Sequence, residues 1–251
     1  MMSRHALAAI AGLAALLALP SAGAGTFTIS PLRVDFTRAA GTAVLTVRNE
    51  EAAPVVVQAE GLSWSQDSGE DAYQPTRDLL VSPPVFTLAP GGSQVVRVAL
   101  RRAPDASREL SYRMVLQEVP QAASPDFTGL QVALRLSIPV FVAPLAPSAP
   151  ELAWTATSDA TGRTTLTARN QGAANARLHR FALKTTDART TLFEQPGLVY
   201  VLSGASRQWT IDNKNVSTQA NSATAVGPGE YRLEGITDRG AFATGLTVAL
   251  D

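Results

Sequence analysis

Side chains that commonly act as catalytic bases or metal ligands are scarce in this sequence. There is no cysteine, and the two histidines are His5 and His179, so disulfides, thiol catalysis and thiolate metal sites are excluded. A Ser-His-Asp triad would need His179 as its base, yet no GxSxG nucleophile motif accompanies it. His179 stands in the segment RLHRF, whose pattern is typical of a β-strand. A packing or surface role is the simpler interpretation.

Carboxylates are present, but their setting does not favour catalysis. Asp67, Glu70 and Asp71 could supply an acid–base pair for sugar chemistry, yet they lie in QDSGEDAYQ (66–74), a polar segment typical of a solvated turn. No Gly-rich phosphate loop or metal-ligand motif is present. The 21 basic and 21 acidic side chains balance, which disfavours nucleic acid as a partner. We therefore predict no enzyme activity, metal, cofactor or nucleic-acid binding.

The first 24 residues have the pattern of a cleavable signal peptide. Arg4 precedes an apolar run over residues 6–19, and Ala22-Gly23-Ala24 follows as an A-x-A cleavage site. A transmembrane helix needs about 20 apolar residues, so this run is too short to span a bilayer. We predict export, cleavage after Ala24 and no membrane insertion.

The chain beyond Thr26 reads as β-strands. Short apolar runs with period-two alternation recur between turn residues, a pattern typical of an antiparallel sandwich or barrel. No convincing helical stripe follows the signal peptide. The fold class is therefore predicted to be all-β, from segments such as AVLTVRN (43–49), SQVVRVAL (93–100), TTLTARN (164–170) and FATGLTVAL (242–250).

A proline-rich segment divides these strands into two groups. APLAPSAP (143–150) suits a short connector. We predict two tandem immunoglobulin-like β-sandwich domains, over residues 25–145 and 146–251, without the Cys…Trp…Cys pattern of antibody domains. An internal similarity supports the division, because VRNEEAAPVVVQ (47–58) parallels ARNQGAANARLH (168–179).

The segment LQVALRLSIPVFV (130–142) has branched aliphatic residues at every even position. Half-buried antiparallel strands have this pattern, so the row could be ordinary core. The alternative is an edge strand whose apolar row is open to a partner. Pro139 favours an edge, because proline in a central strand deletes a ladder hydrogen bond.

Five motifs carry a resemblance to a known family. In chain order they are PLRVDF (31–36), VRNEEAAPVVVQA (47–59), VSPPVFTLAPGGSQVVRV (81–98), YRMVLQEVP (112–120) and LSIPVFVAP (136–144). Together they resemble the periplasmic pilus-assembly chaperones of the chaperone–usher pathway. The sequences of the last two motifs are most similar to the archaic, spore-coat-U-type branch.

The resemblance implies a periplasmic chaperone that folds and caps pilus subunits and delivers them to an outer-membrane usher. Its G1 strand would complete the subunit's incomplete sandwich by strand addition. The donor residues implied by the match are Leu130, Val132, Leu134, Leu136 and Ile138.

The resemblance also implies two cations that anchor the subunit's C-terminal carboxylate. The first matches Arg33, and guanidinium groups suit bidentate carboxylate capture. The second is a lysine in relatives, but Pro139 occupies its position. Arg113 or Arg135 could replace it, and Arg113 is preferred because Arg135 alternates onto the face opposite the donor row. Asp238 matches a position used for internal salt bridges in relatives.

Two other functions remain open at this level. A tandem-domain structural or adhesive surface protein would share the fold, and a secreted polysaccharide-active enzyme would show turnover. An exposed aliphatic edge strand would also allow self-association of the free protein.

Overall fold

The computed structural model describes residues 27–37, 40–120, 132–212 and 226–251. The predicted signal peptide and Leu130 lie outside these ranges. The described residues form strands and no helix, so no helix there could span a membrane. The predicted all-β class is confirmed. The strands are β1 (Phe27–Ser30), β2 (Val34–Phe36), β3 (Thr42–Asn49), β4 (Val55–Asp67), β5 (Glu70–Pro75), β6 (Leu79–Ser82), β7 (Val85–Leu88), β8 (Ser93–Leu100), β9 (Leu110–Glu118), β10 (Arg135–Val142), β11 (Leu152–Ser158), β12 (Arg163–Asn170), β13 (Ala176–Lys184), β14 (Thr191–Gln195), β15 (Val199–Val201), β16 (Ser206–Asp212), β17 (Gly229–Thr237) and β18 (Gly240–Leu250).

The first ten strands form two facing sheets. One has the order β1-β3-β8-β6, and the other has the order β2-β10-β9-β4-β5 with β7 also paired to β4. Alternate residues of both sheets point inward and are buried in one apolar core, which includes Phe36, Leu45, Val96, Met114 and Val140. Two facing sheets around one core make a β-sandwich.

The last eight strands form a second sandwich with its own core. They are joined in the order β14-β13-β17-β18-β11-β12-β16, with β15 paired to β13. Phe181, Leu166 and Leu233 are among its buried residues. Trp154 and Trp209 pack against this core with ring centroids 5.8 Å apart.

The internal similarity of the sequence corresponds to one turn used twice. Asn49 donates from its side-chain amide to the Ala53 carbonyl, and Asn170 donates in the same way to the Ala174 carbonyl. Each asparagine oxygen also accepts a backbone N–H two residues on, which is an Asx turn. Both asparagines are fully buried, so their hydrogen bonds are required for burial.

A small aromatic cluster joins the two sandwiches. Trp64 and Phe141 come from the first, and Tyr200 and Leu202 come from the second. Gln66 fixes this contact, because its Nε2 donates to the Tyr200 carbonyl at 2.8 Å and its Oε1 accepts from the Leu202 N–H at 2.9 Å. The cleft between the sandwiches therefore has a packed floor.

Candidate functional site

Strand β10 has one edge that is only partly paired. On one side β9 pairs with it over its whole length, Arg135–Val142. On the other side β2 pairs only with Val140–Val142. No described strand pairs with residues 135–139 on that edge, so this stretch can accept another strand.

The hydrogen-bonding phase of β10 defines which groups face the open edge. The Glu118 N–H donates to the Leu134 carbonyl at 2.8 Å, so even-numbered residues bond to β9 and odd-numbered residues point the other way. Arg135 and Ser137 therefore present both N–H and C=O to the open edge. Pro139 also points outward, so its missing N–H deletes no bond to β9, which explains why proline is tolerated here.

The even-numbered apolar row changes from exposed to buried along the strand. Val132 is 62% exposed, Leu134 and Leu136 are half-buried and pack against the core, and Ile138 is 2% exposed. Ile138 was predicted as a donor residue, but it lies in the domain's own core, because β2 closes the sandwich from Val140 onward. The accessible part of the row is Val132, Leu134 and Leu136.

Arg33 lies in the cleft beside β10. Its Nε and Nη2 donate to the Asp35 carboxylate at 2.8–2.9 Å, and its guanidinium lies 4.7 Å from the Phe141 ring centroid. Asp238 of the second sandwich is 3.8 Å away. Burial lowers the pKa of Arg33, but the hydrogen bonds and charge of Asp35 outweigh it, so the pKa is raised overall. Arg33 is thus a positioned cation that already has a carboxylate partner.

Arg113 lies on the same cleft face but in a different environment. It is directly opposite Pro139 in the β9–β10 ladder, and its guanidinium stacks 3.8 Å from the Trp64 ring centroid. Burial lowers its pKa, and the charges of Tyr73 and Asp71 offset only part of this effect. Its buried Nε has no hydrogen-bond partner within the described ranges.

Arg135 lies on the same face as Arg113. The reason for preferring one of them as the second cation therefore changes. Both line a cavity of about 210 Å³ together with Tyr73 and Ser137. From the sequence, Arg135 is disfavoured because its side chain lies on the face of the strand opposite the donor row. Arg113 lies on that same face, so this reason applies equally to it. What distinguishes Arg113 is its register with Pro139.

Residues 26–147 match the family described as pili and flagellar-assembly chaperone, PapD N-terminal domain. The N-terminal part of the chain is therefore similar to this chaperone family. Solved structures extend the likeness of the chaperone fold across both domains, and no curated protein sequence matches the chain.

Three solved structures illustrate the likeness. The CsuC–CsuE chaperone–tip adhesion subunit complex, from the archaic chaperone–usher Csu pili of Acinetobacter baumannii, is 22% identical with a TM-score of 0.65, covering 89% of this chain and 99% of that one. The SafB chaperone with the SafA pilin of Salmonella enterica is 19% identical, with a TM-score of 0.59 and coverages of 88% and 96%. The E. coli chaperone DraB is 20% identical, with a TM-score of 0.54 and coverages of 90% and 99%.

Several residues of the cleft were not predicted from the sequence. Asp35 follows Arg33 by two residues, so period-two alternation could have placed both on one face. Tyr200 could not be found this way, because it comes from the second domain. Asp71, predicted as part of a solvated turn, instead accepts hydrogen bonds from Trp64 and Gln66 and pairs with Arg207 at 3.3 Å.

The candidate catalytic base His179 is paired with a carboxylate of the second sandwich. His179 is exposed, and its Nε2 lies 2.6 Å from Asp238. No cluster of three or more metal-ligating side chains occurs in the described residues. The site can instead extend a sheet along one strand and bind a carboxylate beside it.

Proposed function

We propose that the protein is a periplasmic chaperone that captures pilus subunits by donor-strand complementation and delivers them to an outer-membrane usher. In this proposal residues 1–24 are the signal peptide, 25–145 the subunit-binding domain and 146–251 the second immunoglobulin-like domain. The family consists of assembly chaperones rather than enzymes, and no catalytic role is proposed.

The observation that carries this proposal is the open edge of β10 with its apolar row. The edge groups of Arg135 and Ser137 are available for main-chain hydrogen bonds. Val132, Leu134 and Leu136 can insert into a subunit that lacks one strand. Strand addition uses both features, since the backbone gives affinity and alternate side chains give specificity.

The apolar row can supply a useful fraction of the binding free energy. Full burial of one such side chain contributes about 1.5–3 kcal/mol. Val132 has the most surface to bury, whereas Leu134 and Leu136 already contact the core and gain less. Leu130 would extend the row, as the resemblance implies, but it lies outside the described residues.

The proposed carboxylate anchor consists of Arg33 and Arg113. Arg33 is held by Asp35, so an incoming carboxylate competes with an internal one. Arg113 is partly desolvated, and a buried cation gains most from a partner. We infer that Arg113 performs the role of the lysine found in relatives.

The pathway and its branch are proposed from the likenesses above. The first structure described above is a chaperone with a tip adhesion subunit from archaic chaperone–usher pili. The sequences of this chain's motifs also resemble that branch. The open β10 edge would also allow self-association of the free chaperone.

Replacing Val132 by aspartate tests the proposal. A charge in the subunit's apolar pocket would prevent insertion, because an unpaired charge is costly to bury. Val44→Asp is the matched control, since Val44 is 54% exposed on the distant strand β3. Capture of a co-expressed pilus subunit should fail for Val132→Asp only. Equal capture by both variants would reject the donor strand.

A further inference from the structure

The second sandwich is open between two of its strands. Strands β11 and β18 pair in parallel only where Ala156–Ser158 meets Val248–Leu250. Before those points β11 pairs with β12 alone and β18 with β17 alone. A gap therefore separates Leu152–Trp154 from Phe242–Gly245.

The inward-facing rows of both strands show that the gap reaches the core. On β18, Leu246 and Val248 are buried, but Thr244 on the same row is exposed and Phe242 is half-buried. On β11, Ala156 is buried whereas Trp154 is half-buried. The cavity measures about 610 Å³, within the usual size of ligand pockets. The Trp154 and Phe242 rings stack beside it, with centroids 6.1 Å apart.

The mouth of this cavity is cationic. Arg33, Arg177 and Arg239 line it together with Asp238. Asp238 lies 3.4 Å from Arg177 and 3.8 Å from Arg33, so one carboxylate faces several cations. The buried Nε of Arg177 has no hydrogen-bond partner among the described residues. An apolar floor under a cationic rim is complementary to an apolar group that carries a carboxylate.

We propose that this cavity binds the last residue of a captured subunit, with an aromatic or large aliphatic side chain on the Trp154–Phe242 floor. The inference rests on the proposed chaperone function, because Arg33 lines both this cavity and the proposed carboxylate anchor. The terminal carboxylate stays at Arg33, and Arg177 donates to an oxygen of the same chain end. The cavity thereby selects subunits by their C-terminal residue.

A short peptide tests the cavity without a whole subunit. The probe is acetyl-Gly-Phe with a free carboxylate, titrated into the mature protein while the indole N–H resonance of Trp154 is followed by NMR. Acetyl-Gly-Gly and the C-terminal amide of the Phe peptide are the comparison ligands. We expect the Phe acid to bind about tenfold or more tightly than either. Equal binding of all three, or no response of Trp154, would overturn the proposal.

A matched pair of variants locates the binding. Thr244→Phe should fill the cavity and abolish the response, whereas Thr155→Phe, at an exposed position of β11 outside the cavity, should leave it unchanged. Far-UV circular dichroism confirms that both are folded. Undiminished peptide binding by Thr244→Phe would overturn the site.

Subunit capture measured with Val132→Asp is a separate readout, so failure of the cavity proposal would leave the proposed chaperone function unaffected. Peptide binding by a protein that captures no subunit would overturn the proposed occupant.

Discussion

Pro139 on β10 lies directly opposite Arg113 on β9. Residues paired across an antiparallel ladder project from the same face, with Cβ atoms about 4.5–5.5 Å apart. The resemblance implies a cation on β10 at the position of Pro139. Arg113 on the neighbouring strand places a cation beside that position. Stacking on Trp64 holds the guanidinium in the cleft.

Arg113→Ala should weaken subunit capture while the chaperone remains folded. A hydrogen bond to a charged group contributes about 1.5–3 kcal/mol, so the affinity should fall about tenfold or more. Quantitative pull-down with thermal unfolding of the free variants measures this. Arg101→Ala, at an exposed position after β8, is the control. Normal capture by Arg113→Ala would remove it from the anchor.

Asp35→Asn should strengthen carboxylate binding. Asp35 occupies the Arg33 guanidinium with hydrogen bonds of 2.8–2.9 Å, and an amide competes less strongly than a carboxylate. Isothermal titration with a carboxylate-terminated peptide at low salt measures the change. Asp67→Asn makes the same charge change at an exposed site. Weaker binding by Asp35→Asn would mean that Asp35 positions Arg33 rather than competing for it.

Glu109 should make stability depend on pH. Its carboxylate accepts from the Asn175 N–H and side-chain amide, and burial raises its pKa despite these bonds. A raised pKa means that its contribution is fully present below its unfolded pKa, about 4.3, and is lost as pH rises through the folded value. Glu109→Gln should therefore be more stable than wild type at pH 7.5.

Urea unfolding at two pH values tests this expectation. The advantage of Glu109→Gln should disappear near pH 4, and Glu60→Gln, at an exposed position of β4, should show no such trend. A wild-type protein more stable than Glu109→Gln at pH 7.5 would contradict the sign.

Gln66→Ala should loosen the contact between the domains. The substitution leaves the Leu202 N–H and the Tyr200 carbonyl without their side-chain partner, and each unsatisfied buried group costs about 1–3 kcal/mol. Denaturant unfolding and small-angle scattering should show lower stability and a wider range of domain orientations. Gln74→Ala is the exposed control. An unchanged scattering profile and midpoint would show that the aromatic cluster alone holds the cleft.

The strands could be predicted because their period-two pattern is local. Segments 43–49 and 93–100 lie in the observed β3 and β8. For residues 130–142 the same pattern allowed two interpretations, a core strand and an edge strand open to a partner. Ile138 is core because β2 pairs from Val140 onward, whereas Val132 lies beyond the reach of that strand.

The cleft could be predicted only in part, because its contacts join distant segments. The motif PLRVDF identified Arg33. Its period-two alternation also places Asp35 on the same face of the strand as Arg33. The stacking of Arg113 on Trp64 joins two neighbouring strands of the first sandwich. The edge-to-face contact of Trp64 with Tyr200, with ring centroids 5.5 Å apart, depends on how the two domains pack. No local pattern encodes that packing.

Hydrogen exchange at single amides tests the central claim, that the open edge of β10 receives a subunit strand. In the free chaperone the Arg135 and Ser137 amides should exchange rapidly, whereas those of Leu136 and Ile138, which face β9, should be protected. Binding of a subunit should protect Arg135 and Ser137 and leave the other two protected. If the Arg135 and Ser137 amides are protected in the free monomeric protein, or exchange as rapidly in the complex, the donor-strand account is wrong.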